Sequence, residues 1–379
     1  MPHRENLMAA AYNTRSRPQG IYVNGRKRNF FVRFLMRFFP CKGDSVFEMA
    51  RKSVFLIALG ALVYFGGGEL FVVGNDLYQQ HKIEVKMRDI FDNEIDIPDD
   101  IRNAVLRERP DMLAEYIQHY HFNNDLVGHV LIPDMSSNLP YNDHNRYILN
   151  YLVYQSADND YYLKHNFDGA RSDGGSIFAD YRHRDLKEGE LPGNTILYGH
   201  NMASTGNYFS KVSSYYKAFE RRDLTFYKQH PIIQFNTLYE RLDWKIFAVV
   251  LFNTQDQFGD VYKYTTKREF SDKEQFHDFI FNVMDRSVLF ADVDLQYGDH
   301  ILTLSTCYWP YNTLTTEVDT RAVVFARLVR EGESSYVDVD KAMHNEGFLP
   351  FDRQARVLGN TWKGRVWDYE KYLLCYDGD

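Results

Sequence analysis

The chain has 379 residues, 44% of them hydrophobic and 25% charged, a balance that excludes overall disorder and allows one large domain or two of ordinary size. A net charge of −8 argues against nucleic acid as the main partner. Aromatic residues reach 16%, mostly Tyr and Phe, which suits a β-rich fold.

Charge is unevenly spread. Residues 1–52 carry eleven Lys/Arg, from Arg4 to Lys52, against three acidic residues. The next stretch, 53–74, is almost wholly apolar apart from Glu69 near one end. At about 1.5 Å per residue such a run can span a bilayer. Its basic flank predicts a cytoplasmic N-terminus by the positive-inside rule. The expectation is a single-pass membrane anchor over 53–74, a cytoplasmic segment 1–52, and everything after the anchor outside the cell. A buried core helix or a cleaved signal peptide fits less well, because the basic lead is long and no small-x-small cleavage site follows.

Residues 75–126 read as helical. Asp99-Asp100 is placed to cap a helix containing Ile101, Val105 and Leu106, and a second stretch after Pro110-Asp111 has Met112, Leu113, Tyr116 and Ile117 at helical spacing. From about 127 the pattern changes to short strands, at 127–133, 151–154, 177–178, 195–198, 232–236, 244–251, 300–306 and 321–329. Turn-rich segments separate them, and 136–146 reads as a polar loop. One helix interrupts the set. Ser271-Asp272-Lys273-Glu274 reads as a capping box, followed by Phe276, Phe279, Ile280, Val283 and Met284 on one face. Many short strands in one domain predict a barrel or sandwich over 127–330. Residues 331–379 form a polar tail with scattered aromatics and no assignable role.

The chemistry-bearing run is Thr303-Leu304-Ser305-Thr306-Cys307-Tyr308-Trp309. If the strands 300–306 and 321–329 form an antiparallel hairpin, Cys307 ends one and Arg321 begins the other, face to face. Arg327 falls six residues further on, about 20 Å away at strand rise. An ion pair with Asp319 or Glu317 is the competing use of Arg321. A free thiol is mostly protonated at neutral pH, so Cys307 needs a proton acceptor. Of thirteen histidines, His200 stands out, because it ends a strand and follows Gly199. Cys41 falls on the cytoplasmic side of the anchor. Cys307 and Cys375 fall outside it and could instead pair as a disulfide. No His/Cys spacing suggests a metal, and no glycine-rich phosphate loop precedes a helix.

These residues resemble the sortases. Thr303-Leu304-Ser305-Thr306-Cys307 is similar to their active-site strand and 320–327 to their arginine strand. Tyr198-Gly199-His200-Asn201-Met202, the segment 158–169, the run 175–181 and the helix 271–286 are similar to class B members in particular. The resemblance covers about 127–330 and implies a mainly β fold, a closed eight-stranded barrel with N-terminal helices and one helix inserted between barrel strands. It implies a membrane-anchored cysteine transpeptidase that needs no cofactor. Such an enzyme cuts a C-terminal sorting signal on an exported protein through a thioester. It then transfers the protein to an amine of a peptidoglycan precursor or cross-bridge. On this resemblance Cys307 is the nucleophile, His200 the acid and base, and Arg321 the oxyanion or substrate-backbone partner. Asn159, Leu163, Ser305 and Thr306 match substrate-groove positions. The interval from Cys307 to Arg321 is a few residues longer than expected for the family, and 136–149 reads as an insertion. A pilin-polymerising sortase, a hydrolysing cysteine peptidase and a non-catalytic surface protein with a merely buried Cys307 remain open alternatives.

Overall fold

Alternating and continuous apolar runs close into a barrel in this computed structural model, which describes residues 22–23, 26–27, 30–92, 97–140, 143–368 and 372–373. Two compact units are present, 1–84 and 85–379. In the first, α1 (Phe30–Phe38) is joined to the long helix α2 (Val46–Asp92). Lys52 is buried there, its ammonium donating to the Met36 carbonyl and to Asp44, each at 2.7 Å. The apolar run 53–74 lies within α2. Along its first half the side chains of Phe55, Ile57, Leu62, Val63, Tyr64 and Phe65 are exposed. Among the described residues no helix is long and apolar enough to cross a membrane.

The second unit begins its folded part with α3 (Asp99–Glu108) and α4 (Ala114–Phe122). Asp99 and Asp100 sit in the first turn of α3 rather than capping it, since Pro98 takes the N-cap and no side chain accepts there. Acidic residues in that turn favour the helix through its dipole alone. Eight barrel strands follow: β1 (Leu126–Pro133), β2 (Tyr147–Tyr154), β3 (Ile177–Ala179), β4 (Asn194–Tyr198), β5 (Ile232–Thr237), β6 (Asp243–Asn253), β7 (Ile301–Cys307) and β8 (Thr320–Leu328). They close in the order β6-β8-β7-β4-β3-β2-β1-β5. Closure leaves no free edge in the wall. All neighbours are antiparallel except β7 with β4 and β2 with β3. Those two parallel pairs require crossovers, supplied by the helix-bearing segments between strands.

Strand β6 is buried at every position from Trp244 to Asn253, because one face points into the barrel and the other lies under helices. Helix α7 (Lys273–Arg286) packs on it, burying Phe276, Phe279, Ile280, Val283 and Met284 as the spacing predicts. Each such side chain contributes about 1.5–3 kcal/mol relative to exposure. Its cap is Asp272, whose carboxylate accepts from the Gln275 N–H at 2.8 Å, so the helix starts one residue later than a box opening at Ser271 would give. Helix α5 (Ser210–Glu220) lies against β7 and β8, and the short α6 (Thr225–Gln229) follows it.

The end of β8 farthest from Cys307 is tied to the segment after it. Arg327 is fully buried and donates to Glu333 at 2.5 and 2.8 Å and to Asp294. Its hydrogen bonds hold the Glu333 carboxyl well below the usual carboxylate range. A lowered carboxylate pKa stabilises the fold at neutral pH, and that contribution is lost only as the group protonates in acid.

Candidate active site

Register places the thiol and the arginine together. Cys307 is paired with Arg321 across the β7–β8 ladder, as the hairpin reading expects. Arg327 is paired with Ile301 at the opposite end and is committed to Glu333 and Asp294. His200 reaches the same mouth by the parallel pairing of β4 with β7. Tyr198 is opposite Ser305, so Cys307 and His200 each lie two residues past a paired position, at the same end of adjacent strands.

Several short bonds hold this corner. The Asn201 side chain donates to the Cys307 carbonyl at 2.7 Å. The Thr306 hydroxyl donates to the Gly199 carbonyl at 2.7 Å, and the His200 carbonyl accepts from the Phe209 N–H at 3.0 Å. Gly199 is required by close packing, since a Cβ there would come within 2.9 Å of the Phe209 ring. The His200 Nε2 lies 2.9 Å from the Leu163 carbonyl. A carbonyl only accepts, so Nε2 carries a proton, and Nδ1 is the nitrogen left to face the site.

The residues matched to the substrate groove are placed differently from one another. Leu163 meets His200 through its backbone oxygen. Asn159 spends its amide on Asp180 and on the Tyr181 N–H. Burial opposes the charge on Asp180, yet its bonds from Arg182 and Tyr198 bring it down to about 2. Ser305 and Thr306 are buried, with Ser305 sharing a 2.7 Å hydrogen bond with the Tyr264 hydroxyl. Tyr264 carries no sequence signal. Asn201 directly follows His200, and Asp319 stands two before Arg321, just ahead of β8, so both carry one.

Asp319 decides the electrostatics. Arg321 is ion-paired to it while also facing Cys307, so both readings of this arginine hold together. The Asp319 carboxylate also accepts from the Thr254 hydroxyl at 2.7 Å and the Trp309 indole at 3.0 Å. Cys307 is a free thiol, and Cys375, named above as a possible partner, lies outside the described residues. Burial pushes the Cys307 thiol up; Arg321 pulls it down, and Asp319 opposes Arg321. The resting group is therefore a neutral thiol with a guanidinium beside it. Alkylation of Cys307 by iodoacetamide should keep rising with pH through the usual thiol range. Asp319→Asn should make it faster at neutral pH, because the carboxylate that opposes Arg321 is gone. A wild-type rate already flat above about pH 7, below the range where an unperturbed thiol titrates, would contradict this balance.

Among the described residues no group of three or more His, Cys, Asp or Glu is placed to hold a metal.

Comparison with known proteins bears on what this corner does. The Sortase domain family matches residues 150–329. Sortase B of Listeria monocytogenes is 30% identical over 256 residues, 68% of this chain and 89% of that protein. Sortase B of Staphylococcus aureus is 30% identical over 208 residues, 55% of this chain and 72% of that protein. Among solved structures, a Staphylococcus aureus sortase B–substrate complex aligns at 24% identity with a TM-score of 0.47, covering 65% of this chain and 98% of that one.

Proposed function

The chain belongs to class B of the sortase family of cysteine transpeptidases, and from that premise we propose that it cuts a C-terminal sorting signal on an exported protein and joins the new carboxyl end to an amine of the cell wall. The observation that carries this reading is the meeting of a free thiol, an arginine and a histidine at one barrel mouth, Cys307 opposite Arg321 and beside the end of β4.

In this reading the Cys307 thiol gives its proton to His200 as the sulfur attacks the scissile carbonyl. With Nε2–H engaged by Leu163, Nδ1 is the nitrogen that takes it. The tetrahedral oxyanion forms beside the Arg321 guanidinium, which Asp319 holds in place. His200 then protonates the leaving amine, the C–N bond breaks and a thioester remains on Cys307. An incoming amine loses a proton to His200, attacks the thioester and releases the thiol. The neutral resting thiol suits this order, since deprotonation accompanies attack. Leu163, whose carbonyl meets His200, and Asn159 are the candidate substrate-groove positions, whereas buried Ser305 and Thr306 act by shaping the β7 backbone.

The membrane anchor over 53–74 is part of the proposal. It rests on the apolar run of the sequence, on the exposed apolar side chains in the first half of that run and on the basic segment before it, although no helix among the described residues is long and apolar enough to cross a membrane. The test of function is ligation. The full chain in detergent, given a sorting-type peptide and excess short amine peptide, should yield the ligated product. Cleavage giving only the free acid at every amine concentration would point to a hydrolase instead.

A further inference from the structure

The segment after β8 lies beyond the matched sortase region, yet it reaches back to the active-site loop. Helix α8 (Asp352–Leu358) carries Gln354, which is 2% exposed. Its Oε1 accepts from the Phe351 N–H at 3.3 Å, and its Nε2 donates to the Tyr216 hydroxyl at 2.6 Å. Tyr216, fully buried on α5, shares a 3.2 Å hydroxyl–hydroxyl bond with Tyr311. Tyr311 belongs to the loop 308–319 that joins Cys307 to Arg321. The Phe351 ring meets Tyr311 at 5.9 Å, and the Tyr216 ring meets Tyr308, the residue after the thiol, at 6.0 Å.

The same helix bears on the other end of the loop only through a second segment. Gly259 packs so closely on α8 that a Cβ would lie 2.7 Å from the Asp352 nitrogen, and its φ of +119° favours glycine. The segment ending at Gly259 contains Thr254 and Gln255. Those two hold Asp319 by its carboxylate and by its N–H, at 2.7 and 2.8 Å. Asp319 in turn holds Arg321.

We propose that α8 is a positioning element for the reaction: Gln354, through Tyr216 and Tyr311, fixes the loop 308–319 in the shape that receives the peptide substrate. This inference rests on the transpeptidase reading above. A long exposed loop that must be ordered when substrate arrives loses affinity to entropy, and a loop already held by buried hydrogen bonds does not. A buried amide with both ends engaged is suited to this, because its geometry is fixed and its loss leaves hydroxyls short of partners.

The test uses the full chain and a sorting-type peptide that the wild type turns over. Gln354→Met removes the amide at similar length, and Tyr311→Phe removes one hydroxyl and carries the test if the first variant does not fold. Both should raise KM, Gln354→Met by about 10-fold, with kcat within about threefold. The rate of Cys307 alkylation by iodoacetamide should stay within about twofold of wild type, since the thiol itself is untouched. Wild-type KM in the folded variants would overturn the inference while leaving the transpeptidase reading intact. So would a loss of kcat and alkylation in step with a lowered melting temperature, the mark of general destabilisation. A wild type that turns over no peptide would overturn both.

Discussion

Cys307→Ala is expected to abolish turnover of a sorting-type peptide, a loss on the order of 10⁴-fold or more in kcat/KM. The hydroxyls beside it on β7 cannot take over the covalent step. Ser305 and Thr306 are buried, with their hydroxyls committed to Tyr264 and to the Gly199 carbonyl. Steady-state cleavage followed by chromatography measures the loss, and the fold should survive because alanine fits where the half-buried side chain stood. Peptide binding should persist, so the variant should still bind a labelled peptide with roughly wild-type affinity, about unchanged within threefold. Substantial turnover by this variant would remove Cys307 from the chemistry.

Arg321→Ala should lower kcat/KM by about 10²–10³-fold, the usual cost of losing one oxyanion partner. Two effects act in the same direction. The developing oxyanion loses its guanidinium, and the thiolate loses a cation that offsets burial, so Cys307 becomes harder to ionise. Arg321→Lys should recover only part, because an ammonium keeps the charge but cannot reproduce a planar fork held by Asp319. The diagnostic is the pairing of measurements: peptide turnover and iodoacetamide alkylation should both fall in Arg321→Ala. Unchanged turnover would reduce Arg321 to the ion pair with Asp319 alone.

Much of the barrel is legible in the sequence because its strands are apolar, short and bounded by turn residues. The hairpin of β7 and β8 is the clearest case. Two local strands leave little freedom of register, so Cys307 opposite Arg321 follows from spacing. Helix α7 is legible for the same reason, its apolar face being purely local. What pattern reading does not deliver is non-local. The parallel pairing of β4 with β7, which sets His200 at the same end of the barrel as Cys307, joins segments about a hundred residues apart, so a strand end and Gly199 single out His200 and the resemblance to sortases adds its partner. The grip of Leu163 on His200 is a backbone carbonyl, invisible to any reading of side chains.

The tail is the instructive failure. Residues 331–368 show no periodicity because they pack as isolated anchors rather than as a regular face. Gln354, Phe351 and Trp367 are each buried by different neighbours: Tyr216, Tyr311 and Asp285. A polar composition with scattered aromatics therefore hides a segment that closes over the barrel. Arg321 shows a related limit. In the sequence an ion pair and an active-site role read as alternatives, whereas a guanidinium has enough donors to serve a carboxylate and face a thiol together.

The central claim is a thioester on Cys307, and intact-protein mass spectrometry after rapid acid quench tests it most directly. With a library of sorting-type peptides and no added amine, the wild-type chain should gain the mass of the acyl fragment. The adduct should map to the peptide containing Cys307, disappear on hydroxylamine treatment, and be absent from Cys307→Ala. An active wild type with no adduct at Cys307, or with the adduct on another residue, would contradict the account.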